Sequence, residues 1–250
     1  MPDVFTEIDG STCFITLNRP EKRNALNDAL IASLKTALRE ADINDELRSI
    51  VIRGAGKDFC SGADLSAIQK ISESSYEENL EDARSLMELF TMIRAVKIPV
   101  VAAVHGRALA GGCGLATACD LVLASDSARF GYPEVKIGFV PAMVMAILRR
   151  NVSEKRAFAM ITRGFEFSAA EAEAAGLVNM VFPQAEFETK VQEYVSAYEK
   201  VSSSAVRMSK DLLYRMDGLD FKESMEKGAE TNAAARMTED CKKGIARFLA

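Results

Sequence analysis

The segment VVAAVHGRALAGGCG, residues 100–114, decides the fold. Its first five residues are apolar and mostly β-branched, which predicts a buried strand. A turn follows, and Gly111 opens a helical pattern. The same strand pattern recurs at residues 12–17, 49–53 and 121–124, and helical periodicity covers residues 28–41 and 76–95. Because helical crossovers join parallel strands, this alternation predicts an α/β architecture with a largely parallel sheet.

The last quarter of the sequence has a different pattern. Strand signals end near Phe182, and from there to the C-terminus only helical periodicity remains. We therefore expect two regions, an α/β core over residues 1–190 and a helical region over residues 191–250. No Pro/Gly/Ser-rich linker separates them, so the helices are predicted to pack on the core or on a neighbouring subunit.

Composition excludes several classes of protein. The 250 residues are 48% hydrophobic and 27% charged, which is typical of a globular chain with a sizeable core. A net charge of -5 and a pI near 5.2 argue against nucleic acid as a partner, because that binding depends on Lys and Arg. The longest apolar runs, 98–104 and 140–148, are shorter than the roughly 20 residues of a membrane-spanning helix.

The cysteine and histidine content excludes further kinds of site. The five cysteines form no CxxC pair and the chain has one histidine, which argues against a zinc site and a Ser-His-Asp triad. No metal ion is therefore expected. The N-terminus has acidic residues where a signal peptide would be basic and then hydrophobic, so we expect a cytoplasmic protein.

Three glycine-containing loops are candidates for a ligand site. They follow predicted strands and cover residues 59–65, 105–114 and 130–134. None of them matches the phosphate-binding loop GxxxxGK[ST], the dinucleotide fingerprint GxGxxG or the GxSxG nucleophile elbow. Gly111 and Gly112 open a helix after a strand, so free amides and the positive helix end could hold an anion or an oxyanion. The alternative is that this pair only permits close packing.

Together these loops resemble the crotonase, or enoyl-CoA hydratase/isomerase, family. The resemblance covers about residues 5–185 in the family's order. The matching segments are NRP at 18–20 with NAL at 24–26, FCSGADL at 59–65, PVVAAVHG at 99–106 with AGGC at 110–113, CD at 119–120, FGYPE at 130–134 with GFVP at 138–141, and SAAEA at 168–172 with GLV at 176–178.

The resemblance implies a fold, a substrate and a first set of site residues. The fold would be a spiral of ββα units with a C-terminal trimerisation region, giving a homotrimer or a dimer of trimers. The substrate would be an acyl-CoA thioester, with no separate cofactor. The family's chemistry passes through an enolate, whose oxygen the backbone amides of Ser61 and Gly111 would hold. The residues implied to line the substrate are Arg23, Ala63, Asp64, Leu65, Gly114 and Met143, although for Asp64 the role of holding its own loop is favoured over contact with substrate.

The acid/base group departs from the common family pattern. Many family hydratases carry two glutamates; here the second is Glu134, whereas Gly114 occupies the place of the first. Glu134 is the predicted catalytic residue. Neighbouring apolar residues Val135, Ile137 and Phe139 predict partial burial and a raised carboxyl pKa.

Several activities stay open at this point. Water addition to a 2-enoyl-CoA is favoured, because GFVPA at 138–142 is similar to the methylglutaconyl-type hydratases of the family. One carboxylate is sufficient for 3-enoyl to 2-enoyl isomerisation. Thioester hydrolysis and non-catalytic acyl-CoA binding are further alternatives, since a fold does not guarantee an activity.

Overall fold

The computed structural model describes residues 2–249, apart from the side chain of Leu65. The strands in this range are β1 Val4–Asp9, β2 Thr12–Leu17, β3 Ser49–Gly54, β4 Val100–Val104, β5 Arg107–Leu109, β6 Leu121–Ser125, β7 Arg129–Gly131, β8 Glu166–Ser168 and β9 Met180–Phe182. The α-helices are α1 Asp28–Ile43, α2 Leu65–Glu73, α3 Tyr76–Ala95, α4 Gly111–Ala118, α5 Ala142–Asn151, α6 Glu154–Arg163, α7 Ala169–Ala175, α8 Phe187–Ser196, α9 Ser203–Arg215, α10 Phe221–Arg236 and α11 Glu239–Leu249.

The predicted α/β architecture is confirmed. The main sheet has the order β1-β2-β3-β4-β6-β9, and only the edge pair β1 and β2 is antiparallel. All five side chains of β4 are buried, because helices cover both faces of the sheet. This explains why its sequence is a continuous apolar run rather than an alternating one.

The boundary expected at residue 190 falls inside α8. Phe187, Val191 and Val195 of this helix are buried against one face of the main sheet, where they contact Phe14 and Val101 among others. Helix α8 therefore belongs to the α/β core, and the helical region begins after it. Amphipathic periodicity alone does not reveal whether a helix covers a sheet or packs on other helices.

A second sheet was not predicted from the sequence. It has the order β5-β7-β8, with β5 and β7 parallel and β7 and β8 antiparallel. Each strand has three residues, too few to display a period of two. Cys60 adds a parallel bridge to Ala108 at the edge of this sheet.

Helices α9 to α11 form the C-terminal region, and a buried lysine attaches it to the core. Lys210 in α9 donates to the carbonyls of Ile93 and Ile98 and, at 2.7 Å, to Asp120. Many apolar side chains of the region are exposed, including Phe221, Met225, Met237, Ile245 and Phe248. Within residues 2–249, no helix is both long and apolar enough to cross a membrane.

Candidate active site

The small sheet brings the three glycine-containing loops together. Cys60, Ala108 and Phe130 lie side by side in parallel, joined by the bridge from Cys60 to Ala108 and the register of β5 with β7. The loops that follow these three parallel segments all begin at the same edge of the sheet, because the carboxyl ends of parallel strands lie at one edge. The three candidate loops therefore meet at this edge, and strands that the sequence did not reveal bring them together.

Hydrogen bonds attach the first loop to the segment at 23–26. The amide of Ser61 donates to the carbonyl of Arg23 at 3.0 Å, and the amide of Leu26 donates to the carbonyl of Gly62 at 2.7 Å. The Ser61 amide is therefore already engaged. This corrects the expectation that it would hold the thioester oxygen.

The amide of Ala63 is the free donor in this loop. The peptide bond between Gly62 and Ala63 is trans, so the Ala63 N–H points opposite to the Gly62 carbonyl and away from Leu26. No acceptor for it is present among residues 2–249. Gly62 makes this direction possible through its φ of 100°, which a residue with a side chain rarely adopts.

The amide of Gly111 is the second free donor. Gly111 is the first residue of α4, so its N–H points out of the helix end, where the helix dipole is positive. The preceding residue, Ala110, has a φ of 48°, and its own amide donates to the carbonyl of Gly131 at 2.8 Å. A non-glycine residue held in this region stores strain, which is characteristic of functional sites.

The two donors lie against each other. A Cβ atom built on Gly62 would be 3.7 Å from the Gly111 nitrogen and 2.8 Å from the Ala110 Cβ. Gly112 has a different role, since a Cβ there would lie 2.2 Å from the carbonyl oxygen of Cys60. Of the glycine pair, Gly112 serves close packing and Gly111 presents an amide.

Glu134 lies just beyond β7, in a short 3-10 helix over Pro133–Ile137. It is half-buried, and its Oε2 atom is buried without a hydrogen-bond partner among the described residues. Burial raises the pKa of this carboxyl, as predicted. Val135, Ile137 and Phe139 are exposed, however, so these residues do not provide the burial as expected.

Glu134 is electrostatically coupled to α4. Burial raises the pKa of the Cys113 thiol to about 12, and the negative charge of Glu134 contributes to the rise. Tyr132, whose hydroxyl lies 2.6 Å from the Thr117 hydroxyl, is influenced by Glu134 in the same direction. Through this contact Tyr132, two residues before Glu134, attaches the segment to α4, the helix whose first amide is free.

Gly114 is buried, and an aromatic ring fills the space in front of it. A Cβ atom on Gly114 would lie 3.1 Å from Cζ of Phe90 and 3.6 Å from Cγ2 of Val144. A side chain at this position would therefore meet Phe90. Met143, predicted to line the substrate, is half-buried against the core on the neighbouring helix α5.

Asp64 is a structural residue. Its Oδ2 accepts from the Arg19 guanidinium at 2.7 Å, and its Oδ1 accepts from the Ser66 amide and caps α2. The hydrogen bond from Arg19 is the main reason that the pKa of Asp64 is lowered. Both carboxylate oxygens are engaged, which corrects its inclusion among substrate-contacting residues.

The remaining predicted residues differ in their environment. The Arg23 side chain is 62% exposed near Asp58, so it can turn towards a ligand. Ala63 is exposed at the loop surface. Leu65 begins α2, but its side chain lies outside the described residues, and its predicted contact with substrate stays a prediction.

Sequence reasoning missed two features of this site. One is the position of Phe90, and the other is the ion pair between Arg19 and Asp64. Phe90 is one of several apolar residues on the buried face of α3, and nothing in the helical period distinguishes it. Among residues 2–249, no cluster of three or more His, Cys, Asp or Glu side chains could hold a metal ion.

Comparison with known proteins identifies the family. The sequence model described as Enoyl-CoA hydratase/isomerase matches residues 7–250. A Thermus thermophilus protein named "Putative enoyl-CoA hydratase" is 40% identical over 239 residues, covering 96% of this chain and 94% of its own. The 2,3-dehydroadipyl-CoA hydratase of Escherichia coli is 34% identical over 236 residues, covering 94% and 91%.

A solved structure extends the likeness to the fold. The crystal structure of an enoyl-CoA hydratase from Mycobacterium smegmatis superposes with a TM-score of 0.95 at 32% identity, covering 100% of this chain and 96% of that one. The chain therefore belongs to the enoyl-CoA hydratase/isomerase family. It has the crotonase fold with a helical C-terminal region, as the sequence resemblance predicted.

Proposed function

We propose that this protein is an enzyme that adds water to a 2-enoyl-CoA, with Glu134 as its acid/base residue. The observation that supports this most strongly is the combination of two unpaired amides, those of Ala63 and Gly111, with one buried carboxylate beside the same helix. The amides would accept the negative charge that develops on the thioester oxygen. In this arrangement the Ala63 amide takes the role first expected of Ser61.

The single carboxylate serves both proton transfers. Glu134 takes a proton from water as the water oxygen bonds to Cβ of the substrate, and the electron pair of the double bond moves towards the thioester oxygen. The two amides hold the resulting enolate. Glu134 then returns the proton to Cα, the enolate collapses to the thioester, and one water molecule has been added. The raised pKa of Glu134 suits a group that must both accept and donate.

Isomerisation of 3-enoyl-CoA to 2-enoyl-CoA is the second candidate, and the environment of Gly114 favours it. Phe90 and Val144 form an apolar wall where many relatives have another glutamate. Such a wall offers no second group to orient water. Glu134 would remove a proton from C2 and return it to C4, and the same two amides would hold the conjugated dienolate that forms between the two steps.

The acyl-CoA substrate and the assembly are further parts of the proposal. The exposed Arg23 is suited to a CoA phosphate, and no separate cofactor is required. The exposed apolar side chains of α10 and α11, such as Phe221 and Phe248, are suited to a homotrimer or a dimer of trimers in the cytoplasm. Analytical ultracentrifugation tests this, because Phe248→Asp should lower the molar mass of such an assembly.

A panel of purified acyl-CoAs tests the activity. Hydration of 2-enoyl-CoA removes the enoyl absorbance, isomerisation of 3-enoyl-CoA creates it, and thioester hydrolysis releases a free thiol. We expect hydration to be the fastest reaction. Faster isomerisation would favour the second candidate, and thiol release alone would contradict both. Binding of saturated acyl-CoA without any turnover would indicate a non-catalytic relative.

A further inference from the structure

Phe90 separates the candidate site from a cavity. It lies in α3 with 4% of its surface exposed, and the tip of its ring faces Gly114. Gly114 is one turn along α4 from Gly111, whose amide is a donor in the proposed function. The ring therefore closes off the face of α4 that lies one turn beyond the Gly111 amide.

The cavity on the other side has a volume of about 800 Å³ and lies between α3, α5 and α9. This is within the range of small-molecule pockets. Phe90 is part of its lining, and the other large apolar side chains there are those of Met87, Met143, Ile147 and Met208. Methionine side chains adapt to the shape of an apolar occupant.

The charged residues of the cavity wall are already paired. Its five cationic side chains lie within 4.0 Å of a carboxylate in the pairs Arg94 with Asp217, Lys97 with Asp42, Arg207 with Asp45, Lys210 with Asp120 and Arg215 with Asp211. Paired cations provide little attraction for a further anion. The lining therefore suits an uncharged alkyl chain better than a phosphate or a chain that ends in a carboxylate.

The direction of the acyl chain follows from what lies on each side of the Ala63 and Gly111 amides. Arg23, suited to the CoA portion, lies on the Ser61 side, because the Ser61 amide binds the Arg23 carbonyl. An acyl chain leaving the thioester on the other side passes the first turn of α4 and reaches Gly114. There it meets the ring of Phe90.

We propose that Phe90 sets the upper limit of acyl-chain length. Its ring is the end wall of the acyl pocket, and the cavity behind it is closed to substrate in the natural protein. This inference rests on the proposed acyl-CoA function. Removing the ring joins the pocket to the cavity and admits a longer straight chain.

The test compares four-carbon and twelve-carbon straight-chain substrates in wild type and Phe90→Ala. The measured quantity is the ratio of kcat/KM for the long chain to kcat/KM for the short chain. We expect Phe90→Ala to raise this ratio at least about tenfold, since each additional buried methylene contributes about fourfold. The affinities for saturated butanoyl-CoA and dodecanoyl-CoA should change in the same direction.

Two further variants distinguish loss of the Phe90 ring from nonspecific damage to the structure. Leu89→Ala also removes a fully buried side chain from α3, but Leu89 does not line the cavity. It should leave the ratio unchanged. Ala146→Phe places a ring in the cavity from an exposed position on α5. It should have no effect alone and should cancel the gain when combined with Phe90→Ala. If Phe90→Ala does not fold, Phe90→Leu should show the same direction.

The inference is overturned if Phe90→Ala retains short-chain turnover with an unchanged ratio. It is also overturned if Ala146→Phe alone suppresses the long chain, because wild type would then already use the cavity. A larger gain for a chain ending in a carboxylate would contradict the apolar assignment. The proposed function fails separately, if wild type neither turns over nor binds any of these acyl-CoAs.

Discussion

The proposed function divides the candidate site into two halves that are built in different ways. The oxyanion half consists of the backbone amides of Ala63 and Gly111, and their direction depends on peptide geometry. The proton-transfer half is one side chain, Glu134, and its chemistry depends on burial. Side-chain identity is therefore decisive in one half and nearly irrelevant in the other.

This difference shows how the two halves respond to substitution. The oxyanion half can be damaged only by changes that remove an N–H or move a loop. The proton-transfer half can be removed by replacing one carboxylate oxygen of Glu134 with an amide nitrogen. Substitutions that distinguish these cases, taken from the largest expected effect to the smallest, test whether the two halves are independent.

Glu134→Gln should have the largest effect. It preserves the size of the side chain but removes the group that exchanges a proton, so kcat should fall by about 10² to 10⁴. Binding of a saturated acyl-CoA, measured by calorimetry, should stay within a few-fold because the amides are unchanged. Turnover within tenfold of wild type would show that Glu134 is not the acid/base residue.

Ala63→Pro should have the next largest effect. Proline has no N–H, so one oxyanion donor disappears, and kcat should fall by about 10² to 10³. The measurement is steady-state kinetics on the substrate that wild type prefers, with circular dichroism to check the fold. Ala63→Gly keeps the amide and is the matched control.

Ser61→Ala is a second control for Ala63→Pro, because the Ser61 amide donates to the carbonyl of Arg23 and the substitution leaves the backbone intact. Its kcat/KM should stay within about twofold of wild type. A large loss would assign a role to the Ser61 hydroxyl and contradict a purely backbone oxyanion half.

Asp64→Asn should have an intermediate effect on activity and a clear effect on stability. It removes the closer carboxylate of the largely buried Arg19 guanidinium and leaves only Asp3 at 4.0 Å, which should lower the free energy of unfolding by up to about 3 kcal/mol. The loop that carries Ala63 should loosen, and kcat should fall about tenfold. Denaturant unfolding measures the first effect.

The matched control for Asp64→Asn is Asp28→Asn, which breaks the exposed pair with Lys70. Exposed ion pairs contribute little, so neither the unfolding free energy nor kcat should change appreciably. Equal losses of unfolding free energy and kcat in the two variants would mean that Asp64 holds its loop no more strongly than an exposed ion pair would.

The pH dependence should show the smallest effect, and it concerns the proton-transfer half alone. Burial raises the pKa of Glu134, and the ionised form starts the reaction, so kcat/KM should rise with pH through that raised pKa. The acid limb should therefore lie above the usual carboxyl range. The pKa of Asp64 is lowered, so this group does not contribute to that limb. An acid limb within the usual carboxyl pKa range would show that burial does not raise the pKa of the catalytic group.

The sequence by itself determined the α/β alternation, the positions of strands β2, β3, β4 and β6, and the identity of Glu134 as the acid/base candidate. These features are local or depend on order along the chain. A short apolar run rich in valine such as Val100–Val104 favours a buried strand, and a motif keeps its spacing regardless of tertiary contacts.

Only the tertiary structure decided which amides are free, and which side chain faces Gly114. The Ser61 amide is engaged because Arg23 lies beside it, and the Ala63 amide is free because its peptide points away from Leu26. Phe90 reaches Gly114 only because α3 packs against α4. Peptide direction and contact across helices depend on segments distant in sequence, so no local pattern could predict them.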